Sequence, residues 1–292
     1  LWGVWQEHRV VANLVGRHEI DGIISDNRYG CFHRKVRSVF LTHQLNIKVK
    51  FGSEVSGAMH PSNLPVLRGV AEKFANFFNR RFLRCFDECW VPDVAGGPGL
   101  SGELGHGMKS EMGGKLKYLG ALSRMRRFEV EKKYDAIAVL SGPEPQRSYL
   151  EREIIGQAKA LPYHFLIVQG KAETAEQRFI RKNIEVVSHL TSNELNEAML
   201  ASGVFIGRSG YSTVMDLAKL GLSAILVPTP GQTEQEYLAG ELSRQGVCCL
   251  QMQGALDLGR ALEEVRQSEP LPDSFSDEEM LRQTVASFIK RL

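Results

Sequence analysis

Along this chain short runs of Val, Ile, Leu and Phe alternate with longer stretches of helical spacing. The runs fall at 22–25, 38–41, 89–91, 136–140, 165–168, 185–187, 204–206, 224–227 and 247–250. Most are too short for helices and apolar on both sides, so they predict doubly buried strands of a parallel sheet with helices on either face. The residues just after each run are polar, small or flexible. These segments include Asp26-Asn27-Arg28, Thr42-His43-Gln44, Pro92-Asp93, Ser141-Gly142-Pro143, Gln169-Gly170-Lys171, Ser188-His189, Arg208-Ser209-Gly210 and Thr229-Pro230-Gly231-Gln232. In open α/β sheets ligands bind beyond the carboxyl ends of the strands, so the pattern predicts a cleft before it names a chemistry.

Two such series of strands are separated by a charged segment, 123–133, which predicts a hinge. The division expected is a first domain at 1–122, a hinge at 123–134, a second domain at 135–275 and a final helix at 276–292 that crosses back to the first. Residues 96–114 hold eight glycines and read as a long surface loop. Phe74, Phe77, Phe78 and Phe82 recur at helical spacing beside Arg80, Arg81 and Arg84. That stripe is expected to face a core, the alternative being a membrane-surface patch.

Length and composition narrow the class. The 292 residues suit two domains, and 43% hydrophobic content argues against disorder. No apolar run reaches the roughly 18 residues of a membrane span, and five cysteines are too few for a disulfide scaffold, which fits a reducing cytosol. The net charge of +2 conceals an asymmetry: residues 1–133 carry 21 Lys+Arg against 13 Asp+Glu, the remainder 15 against 21. A basic stripe interleaved with stacking aromatics is absent, so nucleic acid is not expected. An anionic small molecule or anionic lipid surface suits the basic half.

The segment VFIGRSGYSTVMDLAKLGLSAILVPTPGQTEQEYLA, 204–239, is the most informative. A strand ending at Gly207, a turn Arg208-Ser209-Gly210-Tyr211 and a helix opening at Ser212-Thr213 would present free N–H groups and hydroxyls, an opening suited to a phosphate. Gly210 permits a positive φ and lets a ligand approach closely. Asp216, about one turn in, is placed to accept both hydroxyls of a ribose. The next loop offers Gln232, Thr233, Glu234, Gln235 and Glu236 in succession, as recognition of a hydroxyl-rich sugar requires. An ordinary capped strand–turn–helix joint remains the alternative.

These residues, with Pro228 and Tyr237, resemble the carboxyl-terminal domain of glycosyltransferase family 28. IISDNRYG at 23–30, FLTHQL at 40–45, CWVPD at 89–93 and YLGALSR at 118–124 resemble a bacterial subgroup of such transferases. The resemblance implies the GT-B fold, two Rossmann-like parallel-sheet domains facing across a cleft, with the nucleotide-sugar held by the second. It further implies that Arg208, Ser209 and Gly210 turn near the diphosphate, with Ser212 and Thr213 at the helix start. Asp216 stands in place of a ribose-binding Glu and Gln235 where a Gln meets the donor sugar, while Glu236 replaces a second Gln. Arg124 reaches the phosphates, and backbone atoms of His189 and Leu190 meet the uracil edge. The family's Gly-Gly-Ser loop is here Ser141-Gly142-Pro143-Glu144-Pro145, whose prolines cannot donate N–H bonds, so Arg147 or Arg124 is expected to supply charge.

The function implied is transfer of a hexosamine, first N-acetylglucosamine, from a UDP-sugar to a glycan or lipid-linked acceptor by direct displacement. It uses no cofactor beyond the UDP-sugar co-substrate, and the setting expected is the cytoplasm, at the inner membrane surface. Such chemistry needs a base and positive charge at the leaving diphosphate. Asp26 and His43, at neighbouring strand ends, are the catalytic candidates, with His106 a third. The family's usual base lies on a loop that would precede residue 1, which suggests an amino-terminal truncation. No Asp-x-Asp occurs, so no metal is expected. The alternatives are a nucleotide-sugar hydrolase or epimerase of similar fold, and a non-catalytic nucleotide-sugar-binding protein.

Overall fold

The computed structural model describes residues 2–48, 64–97, 99–108, 112–268 and 278–292, with side chains from residue 69 onward in the helix that begins at Leu64. In chain order the elements are α1 (Trp2–Arg17), β1 (Gly22–Asp26), β2 (Arg37–Leu41), α2 (Leu64–Leu83), β3 (Glu88–Val91), β4 (Leu116–Tyr118), β5 (Tyr134–Val139), α3 (Gln146–Ala158), β6 (Phe165–Val168), β7 (Gln177–Arg181), β8 (Ile184–Val187), α4 (Ser192–Leu200), β9 (Ser202–Gly207), α5 (Tyr211–Leu220), β10 (Ser223–Leu226), α6 (Thr233–Arg244), β11 (Cys248–Leu250), α7 (Leu258–Val265) and α8 (Glu279–Ile289). All nine apolar runs are strands. β4 and β7 are not legible as runs, the first being three residues long and the second an exposed edge. The chain falls into two compact units, Leu1–Leu122 with Asp277–Leu292, and Ser123–Ser276.

The first unit is built on a four-stranded parallel sheet in the order β1-β2-β3-β4. Successive residues of a strand point to opposite faces, and the cores divide accordingly. Phe40, Cys89 and Val91 pack with Leu45, Leu83 and Phe86, whereas Val39 and Trp90 pack with Leu119 and with Phe288 of α8. The Trp90 and Phe288 rings meet edge to face with centroids 5.5 Å apart, and Arg291 forms an ion pair with the buried Glu88. Residues 269–277 lie outside the described residues.

Two expectations for this unit are corrected. The glycine-rich stretch is not a surface loop: Leu100, Ser101, Leu104 and Met108 are buried. Asp93, itself fully buried, accepts the N–H groups of Val94, Leu100 and Ser101 at 2.8–2.9 Å and so folds the loop inward around its carboxylate. Residues 98 and 109–111 of that stretch are outside the described set. The phenylalanine stripe of α2 is split. Phe82 lies against Tyr29 with centroids 5.2 Å apart, but Phe74 and Phe77 are 65% and 64% exposed.

The second unit has seven strands in the order β11-β10-β9-β5-β6-β8-β7. All pairings are parallel except the antiparallel edge pair β7–β8, a departure from a purely parallel sheet. Ala136, Ala138, Ile167, Val186, Ile206 and Ile225 form one core with Leu150 and Ile154 of α3 and Leu258 and Leu262 of α7. Helix ends are set by local chemistry. Thr191 caps α4 in a reciprocal box with Glu194, and α5 stops at Gly221, whose φ of 64° is left-handed.

Candidate functional site

In the second unit β5 lies between β6, the next strand in sequence, and β9, so the order reverses between β5 and β9. Ligands of open parallel sheets bind beyond the strand ends at such a reversal. The loops that border it are 140–145 after β5, 208–210 after β9 and 227–232 after β10. A Cβ built on Gly142, whose φ is 97°, would lie 3.9 Å from Thr229 Oγ1, so two of these loops are in contact.

The turn after β9 is held rigidly. Ser209 is fully buried and its hydroxyl donates to Gln235 O at 2.8 Å. Gln235 Oε1 in turn accepts the Thr229 N–H at 2.8 Å. α6 is thereby tied to both loops, and the Gln235 carboxamide oxygen is used internally. Gln232, Thr233 and Glu234 occupy the exposed or half-exposed opening of α6, and Glu236 Oε1 accepts the Gly231 N–H at 3.0 Å.

Gly210 caps α5 with φ −67° and ψ 146°, and no side chain caps the helix. The positive φ that glycine permits is not used here: the turn takes an extended conformation open to any residue. What glycine provides is space, since an added Cβ would meet nothing within 4 Å. Ser212 is exposed and Thr213 half-exposed at the first turn. The partial positive charge of an uncapped helix start and two hydroxyls are thus presented together.

Arg208 does something other than its place in the turn suggests. Only 2% exposed, its guanidinium donates to Val227 O at 3.1 Å, Pro228 O at 3.2 Å, Gln146 O at 2.9 Å and Gln253 Oε1 at 2.5 Å. Burial lowers its pKa from the ordinary arginine value. Four acceptors of the protein take its donors, so it braces the loops instead of offering charge to a diphosphate. Arg147 is similarly committed, to Glu144 Oε1 at 2.6 Å and Gly170 O at 2.8 Å.

Asp216, in the second turn of α5, accepts the Ser123 hydroxyl at 2.6 Å. Burial raises its pKa, against the pull of that hydrogen bond and of the positive charge of Arg124, which is itself exposed. After β8, His189 Nδ1 lies 2.8 Å from Thr174 O, so Nδ1 carries the proton. The backbone N–H and C=O groups of His189 and Leu190 bond no described residue.

Sequence reasoning passes over Thr229 as a site residue. It is buried, and its Oγ1 has no partner among the described residues. Its signal is available in the PTPG string, as a hydroxyl at a strand end beside a glycine loop. In the first unit Asp26 is exposed at the end of β1, and His43, half-buried, comes after β2. These strands pair with Asp26 opposite Leu41, so both residues sit at neighbouring carboxyl ends.

Comparison with known proteins bears on the family and the fold. The model of the glycosyltransferase family 28 C-terminal domain matches residues 145–292. The chain is 28% identical over 118 residues to the UDP-N-acetylglucosamine–N-acetylmuramyl-(pentapeptide) pyrophosphoryl-undecaprenol N-acetylglucosamine transferase of Halalkalibacterium halodurans, covering 38% of this chain and 32% of that enzyme. It is 45% identical over 56 residues to the Rhodopseudomonas palustris enzyme of the same name, covering 18% and 15%. The chain thus spans a third or less of these curated relatives. Among solved structures it superposes on the glycotransferase of kitacinnamycin with TM-score 0.62 at 13% identity, covering 99% of this chain and 80% of that one. On Acinetobacter baumannii MurG the TM-score is 0.52 at 12% identity, covering 99% and 77%. At such identities the superpositions speak for fold alone, the GT-B class of two Rossmann-like units. With the family model matching half of its length, the chain belongs to glycosyltransferase family 28.

Proposed function

We propose that this protein transfers a hexosamine, first N-acetylglucosamine, from a UDP-sugar to a glycan or lipid-linked acceptor by direct displacement. The observation that carries the reading is the uncapped start of α5 beside the β5/β9 strand reversal, with Asp216 one turn further along. A helix start of this kind stabilises a diphosphate, and a carboxylate at Asp216 accepts the two hydroxyls of a ribose. Ser212, Thr213 and the Thr229 hydroxyl, which has no partner among the described residues, add donors. Gln232, Thr233, Glu234 and Gln235 are assigned to the sugar, Arg124 to the phosphates, and the free backbone groups of His189 and Leu190 to the uracil edge. No cofactor is required beyond the UDP-sugar.

Thermal shift with UDP-, GDP- and TDP-sugars tests the donor. UDP and UDP-N-acetylglucosamine should raise Tm, and Asp216→Ala should remove most of the rise. Absence of any nucleotide effect, or an unchanged effect in Asp216→Ala, rejects the assignment. Release of UDP with water as the only acceptor would favour a nucleotide-sugar hydrolase.

The acceptor side of the proposal draws on α2. Phe74 and Phe77 are exposed next to Lys73, Arg80, Arg81 and Arg84, which line one shallow groove with Phe77. Exposed aromatics ringed by cations suit peripheral contact with an anionic lipid surface, as a lipid-linked acceptor at the inner face of a membrane would require. Among the described residues no helix is long and apolar enough to cross a membrane. Pelleting with phosphatidylglycerol vesicles should be lost in the triple variant Arg80→Ala, Arg81→Ala, Arg84→Ala, and unchanged pelleting refutes the contact.

A further inference from the structure

We infer that His106, oriented by the buried Asp93, accepts the proton of a sugar hydroxyl seated in the cavity that His106 lines. The inference rests on the transferase reading and adds to it an acceptor-side base within the first unit.

The geometry begins at Asp93, just beyond the carboxyl end of β3. Its carboxylate accepts three backbone N–H groups, the Ser101 hydroxyl and His106 Nε2, the last at 3.3 Å. Burial works against ionisation there, but the hydrogen bonds from His106, Ser101 and the backbone outweigh it and hold the pKa below the ordinary aspartate value. An anion fixed in this way selects the His106 tautomer with the proton on Nε2. Nδ1 then keeps its lone pair, and no described residue bonds it.

The surroundings hold the ring in place. His106 stacks on Tyr118 with centroids 5.3 Å apart and planes 18° apart, and Tyr118 donates its hydroxyl to Gly105 O at 3.0 Å. Gly99, at φ 57°, passes so close that a Cβ there would lie 2.6 Å from both Asp93 oxygens and from His106 Nε2. The backbone of Asn46 is tied to the loop as well, through Leu104 O at 2.9 Å. The imidazole is thus 17% exposed and fixed on three sides.

Its remaining side forms part of a cavity of about 450 Å³, lined also by Asn46, Ile47, Lys48, Asn76 and Glu103. That volume suits one or two sugar rings, and the polar ends of Asn46, Lys48, Asn76 and Glu103 are set in a wall that is otherwise largely apolar, as the faces of a sugar ring require. In the transfer step the acceptor O–H bond breaks as its oxygen bonds the anomeric carbon. The bond from that carbon to the diphosphate oxygen breaks, and its electron pair leaves with UDP. The proton passes to His106 Nδ1, giving an imidazolium beside the Asp93 anion. This pairing of a general base with an orienting carboxylate comes from the positions of the groups.

The test is long-range ¹H–¹⁵N spectroscopy of the full chain labelled at histidine, with His106→Gln identifying the His106 signals. In the neutral imidazole Nε2 should appear protonated and Nδ1 bare, and titration with N-acetylglucosamine or methyl glucoside should shift Nδ1. UDP alone should leave that signal in place. A proton on Nδ1, or an Nδ1 signal that neither saccharide moves, overturns the inference. The transferase reading fails separately, by absence of a UDP-induced rise in Tm. Should His106→Gln not fold, backbone-to-ring correlations in the wild-type chain make the same assignment.

Discussion

Replacing Arg208 by Met separates a structural brace from a ligand-binding arginine. The substitution removes the donors that satisfy the carbonyls of Val227, Pro228 and Gln146 and the carboxamide of Gln253. A buried acceptor left without its donor costs about 1–3 kcal/mol, and Met fills most of the volume without replacing any of them. Against this, the wild type bears the cost of burying a guanidinium whose Nε has no partner among the described residues. Taking the low end for each acceptor and about 1 kcal/mol of relief, the net loss is about 3 kcal/mol. For a unit of this size that is a fall in Tm of about 6–12 °C. Arg208→Lys, which keeps the charge on one nitrogen, should lose about half as much. Differential scanning fluorimetry measures both, and calorimetric titration with UDP below the transition should give a Kd within about threefold of wild type. An unchanged Tm together with lost UDP binding would show that the guanidinium faces the ligand, and the reasoning would fail.

Two further perturbations probe the same geometry. The raised pKa of Asp216 means that its neutral form is favoured more in the folded chain than in the unfolded one, so its contribution to stability is present below the ordinary value near 3.9 and lost as pH rises through the folded value. Asp216→Asn should therefore raise Tm at pH 7, with the gain fading toward pH 4, while UDP affinity falls roughly tenfold through loss of the ribose carboxylate; equal Tm values at pH 7 would refute the burial argument. Gly99→Ala imposes a Cβ on a left-handed φ and on oxygens that five donors hold still, so urea denaturation should show a loss of about 2 kcal/mol or more, and a neutral outcome would show that the Asp93 loop yields.

Most strands are readable because buried parallel strands such as β3 and β6 leave short apolar runs. β7 escapes because an edge strand exposes Gln177, Arg178 and Phe179 and has no apolar run to see. The glycine-rich loop misleads for a different reason. The buried N–H groups of Leu100 and Ser101 are satisfied by one carboxylate, Asp93, and a sequence rich in glycine gives no sign of where its partners lie. Arg208 shows the same limit at longer range: its acceptors lie 19, 20, 45 and 62 residues away. A charge beside a turn is visible in sequence, but the direction of a long side chain depends on carbonyls that only the folded sheet assembles.

That distinction alters how the proposed donor site would work. Two of the three arginines that the sequence sets beside the phosphates are committed elsewhere, Arg208 to the loops and Arg147 to Glu144 and Gly170. What remains at the strand reversal is mostly neutral: the open start of α5, the Ser212 and Thr213 hydroxyls, and the Thr229 hydroxyl whose buried oxygen lacks a partner among the described residues. Oriented dipoles of this kind are already in place before the ligand arrives, and they hold an anion through direct hydrogen bonds that salt screens little. An exposed arginine such as Arg124 acts instead through a field that salt weakens. The division explains why a buried Arg208 is worth its desolvation: by donating to the carbonyls of Val227 and Pro228 it holds in place the loop that carries Thr229, so in the proposed reading the cation would act on the donor through the loop's geometry.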